Sequence, residues 1–115
     1  SVIDSGESFN VIYAENDDMA KGAVAALDKA NIPHGVGKDV IVMGFDCNKW
    51  ALEELLNQNW NYDGQCNPFQ ASYIDDIIKK IEAGETISEK TIIMDEKGFD
   101  ATTITQDDVD QFGIQ

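Results

Sequence analysis

A chain of 115 residues with 43% hydrophobic content is long enough for one small globular domain with a core of its own. Its 22 acidic and 8 basic residues give a formal net charge of -14, which argues against nucleic acid or an anionic membrane as a partner, since either would repel this surface. The acids are spread along the chain rather than gathered in a tail, and no apolar run approaches the roughly 20 residues of a membrane span.

Ser1 to Asp4 reads as the tail of a helix whose beginning is missing, with no initiating Met, no basic start and no apolar signal core. The chain is therefore expected to be a piece of something longer. Residues 9–14 form the first strand. Asn16 or Asp17 caps the following helix, and Asp17 and Asp18 favour its positive end. Met19, Ala20, Ala23, Val24 and Leu27 make its apolar stripe, and Lys21 is within reach of Asp17 one turn back. Gly22 is expected where helix and sheet approach closely. Pro33 ends this stretch, and His34 is expected to face solvent in a Gly-rich loop.

Residues 39–45 predict the central strand. The run Val40-Ile41-Val42-Met43-Gly44-Phe45 hardly alternates, the pattern of a strand covered on both faces, and Asp46 sits just past its carboxyl end. Asn48 is placed to cap a second helix with Ala51, Leu52, Leu55 and Leu56 on one face. Residues 60–65 predict a third strand, its Trp60, Tyr62 and Gly64 alternating with polar residues as on a sheet edge. Asn67 and Pro68 would open a third helix as cap and first residue, with an apolar stripe of Phe69, Tyr73, Ile74, Ile77, Ile78 and Ile81 and Gly84 as its C-cap. Residues 90–94 predict a short strand and 95–100 a turn-rich loop. Thr105 caps a short final helix that includes Val109 and Phe112.

This βαβαβα rhythm predicts an α/β fold, a parallel doubly wound sheet flanked by helices. Right-handed crossovers put the polar strand-to-helix junctions Asn16, Asp46 and Asn67 on one rim, where open α/β sheets bind ligands. Short Asn and Asp side chains there suit vicinal hydroxyls, each of which donates and accepts a hydrogen bond. Simple helix capping accounts for the same residues. With His34 alone and no Cys-x-x-Cys spacing, no zinc site is expected, nor any other metal or cofactor. Cys47 and Cys66 both follow ligand-side strand ends, so a disulfide and two buried free thiols both fit. Phosphate-loop, dinucleotide and nucleophile-elbow motifs are absent, and no activity as an enzyme is expected. Asp17, Asp18 and Asp46 echo the acidic residues of a phosphoryl-accepting receiver domain, but no strand ends in the Lys such a domain needs.

Ala14-Glu15-Asn16-Asp17-Asp18-Met19-Ala20-Lys21-Gly22-Ala23 resembles the "A-x-N-D-x-M-A-x-G-A" segment of type I periplasmic sugar-binding proteins. Val42-Met43-Gly44-Phe45-Asp46 is similar to their "V-x-G-F-D" strand, with Cys47 where Gly is usual next. Cys66-Asn67-Pro68 falls at their last interlobe crossing in a form closer to the galactofuranose-binding group, and Ile104-Thr105-Gln106-Asp107-Asp108-Val109 is similar to their C-terminal "I-T-x-x-(N/D)-V". The resemblance covers residues 9–112 and implies the periplasmic binding protein-like I fold, present as the C-terminal portion only. It implies residues 1–67 as part of the second lobe, and 68–115 as hinge crossing, first-lobe helix and C-terminal segment. Asn16 and Asp46 match sugar-contacting positions and Asn67 the amide at the hinge crossing. The implied function is capture of a monosaccharide between two lobes, without chemistry, and delivery to an ABC transporter permease. The implied place is periplasmic or extracellular, with a lipoprotein anchor on the missing N-terminus as one option. The missing N-terminal lobe of the parent chain is an implied partner, and a homo-oligomer of this piece is a further expectation, since its Ile-rich stripe needs a cover. Sugar-responsive transcription regulators share the fold and much of the motif set. A ligand-free interaction module is the remaining alternative.

Overall fold

The computed structural model describes residues 1–114 and resolves into two compact units, Asn67–Glu96 and the remainder. In chain order the elements are α1 (Val2–Ser5), β1 (Val11–Tyr13), α2 (Asp17–Lys29), β2 (Ile41–Phe45), α3 (Lys49–Leu56), β3 (Tyr62–Gly64), α4 (Ala71–Glu82), β4 (Gly98–Asp100) and α5 (Gln106–Phe112). Only α4 belongs to the smaller unit.

In the larger unit the strands lie side by side in the order β1-β2-β3-β4. The first three are parallel and β4 runs antiparallel to β3. Two βα crossovers stepping in the same direction place α2 and α3 on one face of the sheet, because right-handed connections allow only that side. The packing agrees: the Lys21 ammonium of α2 lies 4.4 Å from the Trp50 ring centroid of α3, and α5 packs on α3. Strand alternation then sorts the side chains. Ile12, Val42, Gly44, Asp63 and Phe99 fall on the helix-covered face, where Ala20, Leu27, Ala51, Leu52, Leu55, Trp60 and Val109 complete the core. Val11, Tyr13, Ile41, Met43, Phe45 and Tyr62 fall on the other face. There Tyr13 is 64% exposed, and Val11 and Ile41 are exposed as well. Coverage of the central strand on both faces is thus met on one face only.

Several local expectations change. The 90–94 run forms no strand, because the unit that contains it offers no second strand to complete a ladder; Gly98–Asp100, expected as loop, is the strand instead. β3 is an interior strand rather than an edge, and its polar Asp63 is fully buried. His34 is not free in solvent: Nδ1–H donates to the Asn59 carbonyl at 2.9 Å, and Nε2 lies 3.0 Å from Asp28 Oδ1. A Cβ on Gly22 would meet nothing, so that glycine marks no close approach. The close approach is at Gly44, where a Cβ would stand 2.6 Å from Asp17 Oδ1 and 2.9 Å from Trp60 Cζ3. Lys21, stacked on Trp50, is not paired with Asp17. The Thr105 cap is present as a full capping box with Asp108.

In the smaller unit α4 begins at Ala71, not at Pro68. The Asn67 carboxamide oxygen accepts the Phe69 N–H at 2.8 Å, closing a turn over Pro68 before the helix starts. No residue of α4 is buried. Its Ile74, Ile78 and Ile81 form an open apolar stripe, Ile81 at 58% exposure.

Gly44→Ala is expected to destabilise the larger unit by about 1–3 kcal/mol, the usual cost of forcing a methyl into a filled core; urea unfolding measures it. Open Ile residues on α4 predict self-association of the chain. Light scattering over a concentration series should show it, and Ile78→Lys with Ile81→Lys should reduce it without lowering the larger unit's melting temperature. A monomeric wild type at high concentration with a cooperative melt would refute the expectation.

Candidate functional site

The carboxyl ends of β1 and β2 lead into Asn16 and Asp46, so parallel pairing of these neighbours brings both residues to one rim. Asn16 takes extended backbone and its Oδ1 accepts the Met19 N–H at 2.8 Å, the ordinary N-cap bond. Its amide nitrogen has no hydrogen-bond partner among the described residues. Asp46 is half-buried, and its carboxylate likewise accepts no hydrogen bond there. Asn67 lies at the start of the smaller unit, its oxygen committed to Phe69.

The turn that carries Asp46 is under strain. Asp46 has φ 118° and Cys47 φ 59°, two consecutive residues in the left-handed region without being glycine. Such residues cost about 1–3 kcal/mol each and persist only where their surroundings fix them. Hydrogen bonds to four residues, Gly64, Ile114, Asp17 and Asp63, do so here. The Asp46 N–H donates to the Gly64 carbonyl at 2.9 Å. The Cys47 carbonyl accepts the Ile114 N–H at 2.9 Å, and the Lys49 N–H donates to the Ile114 carbonyl at 2.8 Å. The Asn48 N–H and side-chain Nδ2 both donate to Asp17 Oδ2, at 2.8 and 3.0 Å. The Cys47 N–H points to Asp63 Oδ1 at a longer 3.4 Å.

Asn48 therefore does not cap α3 through its side chain, as the sequence suggested. The amide is turned round to serve as a donor to Asp17. Asp17 in turn does more than sit near a helix's positive end. Its side chain is buried completely, as is that of Asp63 on β3. Burial raises the Asp17 carboxyl above the ordinary range, opposed by its two hydrogen bonds from Asn48. Asp63 is pushed up to about 8, first by burial and then by the charge of Asp17. Burial and the nearby carboxylates also push the Cys47 thiol far up, so it remains a thiol. Cys66 is exposed, and both cysteines are free, which removes the disulfide and leaves one buried thiol rather than two. No group of three or more metal-binding side chains occurs among the described residues, and no helix there is long and apolar enough to cross a membrane.

The sequence pattern places Asn16 and Asp46 on this rim, as the structure does, but does not reveal the buried pair beneath them. The available signal was Asp63 itself, a carboxylate between Tyr62 and Gly64 in the middle of a strand, where charge is rare.

No family model matches the chain. It is 33% identical over 92 residues to the fructose import binding protein FruE of Bifidobacterium longum, a match covering 80% of this chain and 27% of that protein. It is 40% identical over 47 residues to the ribose import binding protein RbsB of Bacillus subtilis, covering 41% of this chain and 13% of that protein. A crystal structure from Mycobacterium smegmatis in complex with β-D-fucofuranose superposes with a TM-score of 0.73 at 29% identity, over 88% of this chain and 32% of that one. The chain thus spans about a quarter of the first relative and a third of the solved structure. Its identity, the order of its elements and the superposition agree. The chain is similar to part of the fructose and ribose import binding proteins and carries part of the periplasmic binding protein-like I fold.

Proposed function

We propose that this chain contributes one wall of a monosaccharide site in the binding component of an ABC importer. The observation that carries the reading is Asp46: a half-buried carboxylate with no partner among the described residues, held on a strained turn at the ligand end of the sheet, beside Asn16. A carboxylate that accepts two sugar hydroxyls fits that description, and the spare Asn16 amide donates to a ring or hydroxyl oxygen. Asn67, in the smaller unit, is kept as a proposed sugar contact on the sequence resemblance alone. Binding needs no chemistry and no cofactor. Fructose, ribose and fucofuranose, the sugars of the two relatives and of the solved structure, support a small sugar as the ligand class.

The remainder of the mechanism follows from a site with only one wall. A second lobe closes over the sugar, burying hydroxyls that Asp46 and Asn16 have already paired, and a permease takes up the closed form. Closure and delivery occur outside the cytoplasm in this reading. Nothing observed favours a transcription regulator over it.

The test is a thermal-shift screen against D-fructose, D-ribose and other monosaccharides, with nucleosides and amino acids as controls. One sugar at 100 times its dissociation constant should add about 2.7 kcal/mol of stability. Asp46→Ala should weaken that sugar by about 2–4 kcal/mol, because it strands buried hydroxyls. No shift with any sugar, or wild-type affinity in Asp46→Ala, would return Asn16 and Asp46 to being turn residues of an interaction module.

A further inference from the structure

We infer that Asp17 and Asp63 form a single carboxylic acid–carboxylate pair, holding one proton between them, and that this pair is the positioning device for Asp46. The inference rests on the assignment of Asp46 to the ligand for its functional meaning, but not for its structural content.

The geometry leaves few alternatives. Asp63 stands directly across from Gly44 in the β2–β3 register, and Asp17 Oδ1 occupies the space that a Gly44 side chain would fill. Both carboxyls are completely buried on the same face of the sheet. Asp17 Oδ2 is taken by Asn48, and Asp63 Oδ1 faces the Cys47 N–H. Each carboxyl then has one buried oxygen left, Asp17 Oδ1 and Asp63 Oδ2, with no other hydrogen-bond partner. Two adjacent buried acceptors repel unless a proton lies between them.

No cation takes that proton's place. Asp17 and, more weakly, Asp46 raise Asp63; Asp46 also raises Asp17, whereas the hydrogen bond from Asp63 lowers it, as expected where Asp63 holds the proton. The turn after β2 adds the protonated Cys47 thiol and the neutral Asn48. β4 presents Phe99 across from Asp63, and α3 presents Lys49 at its start, but that ammonium is engaged with Asp110 of α5 at 3.2 Å. α2 contributes Lys21, which is stacked on Trp50.

The proton belongs on Asp63. Asp17 receives two N–H donors and so carries the charge, while Asp63 Oδ2–H donates to Asp17 Oδ1. One proton thereby joins the start of α2 to the middle of β3, and the two carboxyls together grip the backbone of Cys47 and Asn48. Asp46 is the residue that this grip holds in its left-handed conformation. Loss of the proton places two charges side by side under the turn and releases it.

The linkage has a definite sign. Asp63 titrates near 8 in the fold against an ordinary value of 3.8. Its proton stabilises fully below the ordinary value, and that stabilisation is lost progressively as pH rises from there through about 8. Asp63→Asn supplies a neutral donor at every pH and should remove the dependence.

The decisive measurement is an NMR titration from pH 4 to 10 of the protein carrying 13C-labelled aspartate carboxyls, with the Cys47 and Asn48 amide resonances followed together. Wild type should show one carboxyl with a midpoint near 8 and both amides moving with it. Asp63→Asn should keep the wild-type amide positions at pH 6, lose the midpoint, and lose the fall in melting temperature between pH 5 and 8 that wild type shows relative to it. Asp63→Ala should displace both amides. For D-fructose or D-ribose, whichever binds, wild-type affinity should drop about tenfold by pH 9 while Asp63→Asn stays level, as loss of a single required proton dictates. Absence of any carboxyl midpoint above pH 6, or Cys47 and Asn48 amides unmoved through it, would overturn the inference. If the carboxyl and amide signatures are present but no sugar binds, the positioning pair stands and the sugar assignment fails.

Discussion

The carboxylate of Asp17 is the contact on which the rest of this architecture depends. It sits at the first residue of α2, yet its hydrogen bonds go to Asn48, the residue before α3. One side chain therefore ties together two successive strand-to-helix junctions that the chain separates by 31 residues. The arrangement constrains its surroundings in turn. Gly44 must lack a side chain because Asp17 and the Trp60 ring fill its space. Asn48 must be a donor, which is why it gives up its role as helix cap. The backbone between them, Asp46 and Cys47, takes the only path left, and that path is left-handed.

A second constraint is the one-sidedness of the sheet. Helices α2, α3 and α5 cover one face, and their Ala, Leu and Trp side chains give the larger unit a dry core. The opposite face presents Val11, Tyr13 and Ile41 to water, and α4 presents its isoleucines. An apolar surface of this kind is what a covering layer would remove from water at roughly 25 cal/mol per Å2. The relatives are about three to four times longer than the chain's match to them, so their folds contain far more structure than this piece carries. The larger unit keeps its ligand-end turn intact regardless, because the turn is held from the covered side.

Legibility in the sequence followed the range of the interactions. Elements set by local pattern were readable: the βα rhythm, the Asn16 cap, the Thr105 capping box and the apolar stripe of α4. The rim placement of Asn16 and Asp46 was readable too, since strand polarity alone determines it. Most of what failed depended on partners distant in sequence; the start of α4 is the exception, delayed to Ala71 by the local Asn67–Phe69 turn. Residues 90–94 have strand-like composition but no strand to pair with, whereas Gly98-Phe99-Asp100, poor in strand formers, pairs because β3 offers an open edge. The local pattern assigned Asn48 and Asp17 separately as cap and dipole partner, and only the fold shows that they satisfy each other. Asp63 was hidden for the same reason. Alternation in 60–65 suggested that the polar residues face water, but Trp60 and Asp63 are both buried, and the acid's compensation comes from another element altogether.

A buried pair of carboxyls is a poor way to gain stability. Each ion taken out of water costs several kcal/mol, and a well-packed apolar pair of similar volume often does as well or better. That replacement is not open here. Leucines at 17 and 63 would leave the Asn48 and Cys47 N–H groups buried without acceptors, each at a cost of about 1–3 kcal/mol, under a turn already strained at two residues. Glycine at position 47 would relax part of the strain, since it adopts positive φ freely, but it would also loosen the backbone that follows Asp46. The chain instead keeps a cysteine there, buries its thiol, and fixes the backbone from below with acceptors. The acids at 17 and 63 therefore hold a conformation rather than add cohesion, and the residue whose conformation they hold, Asp46, carries a half-buried carboxylate with no hydrogen-bond partner among the described residues.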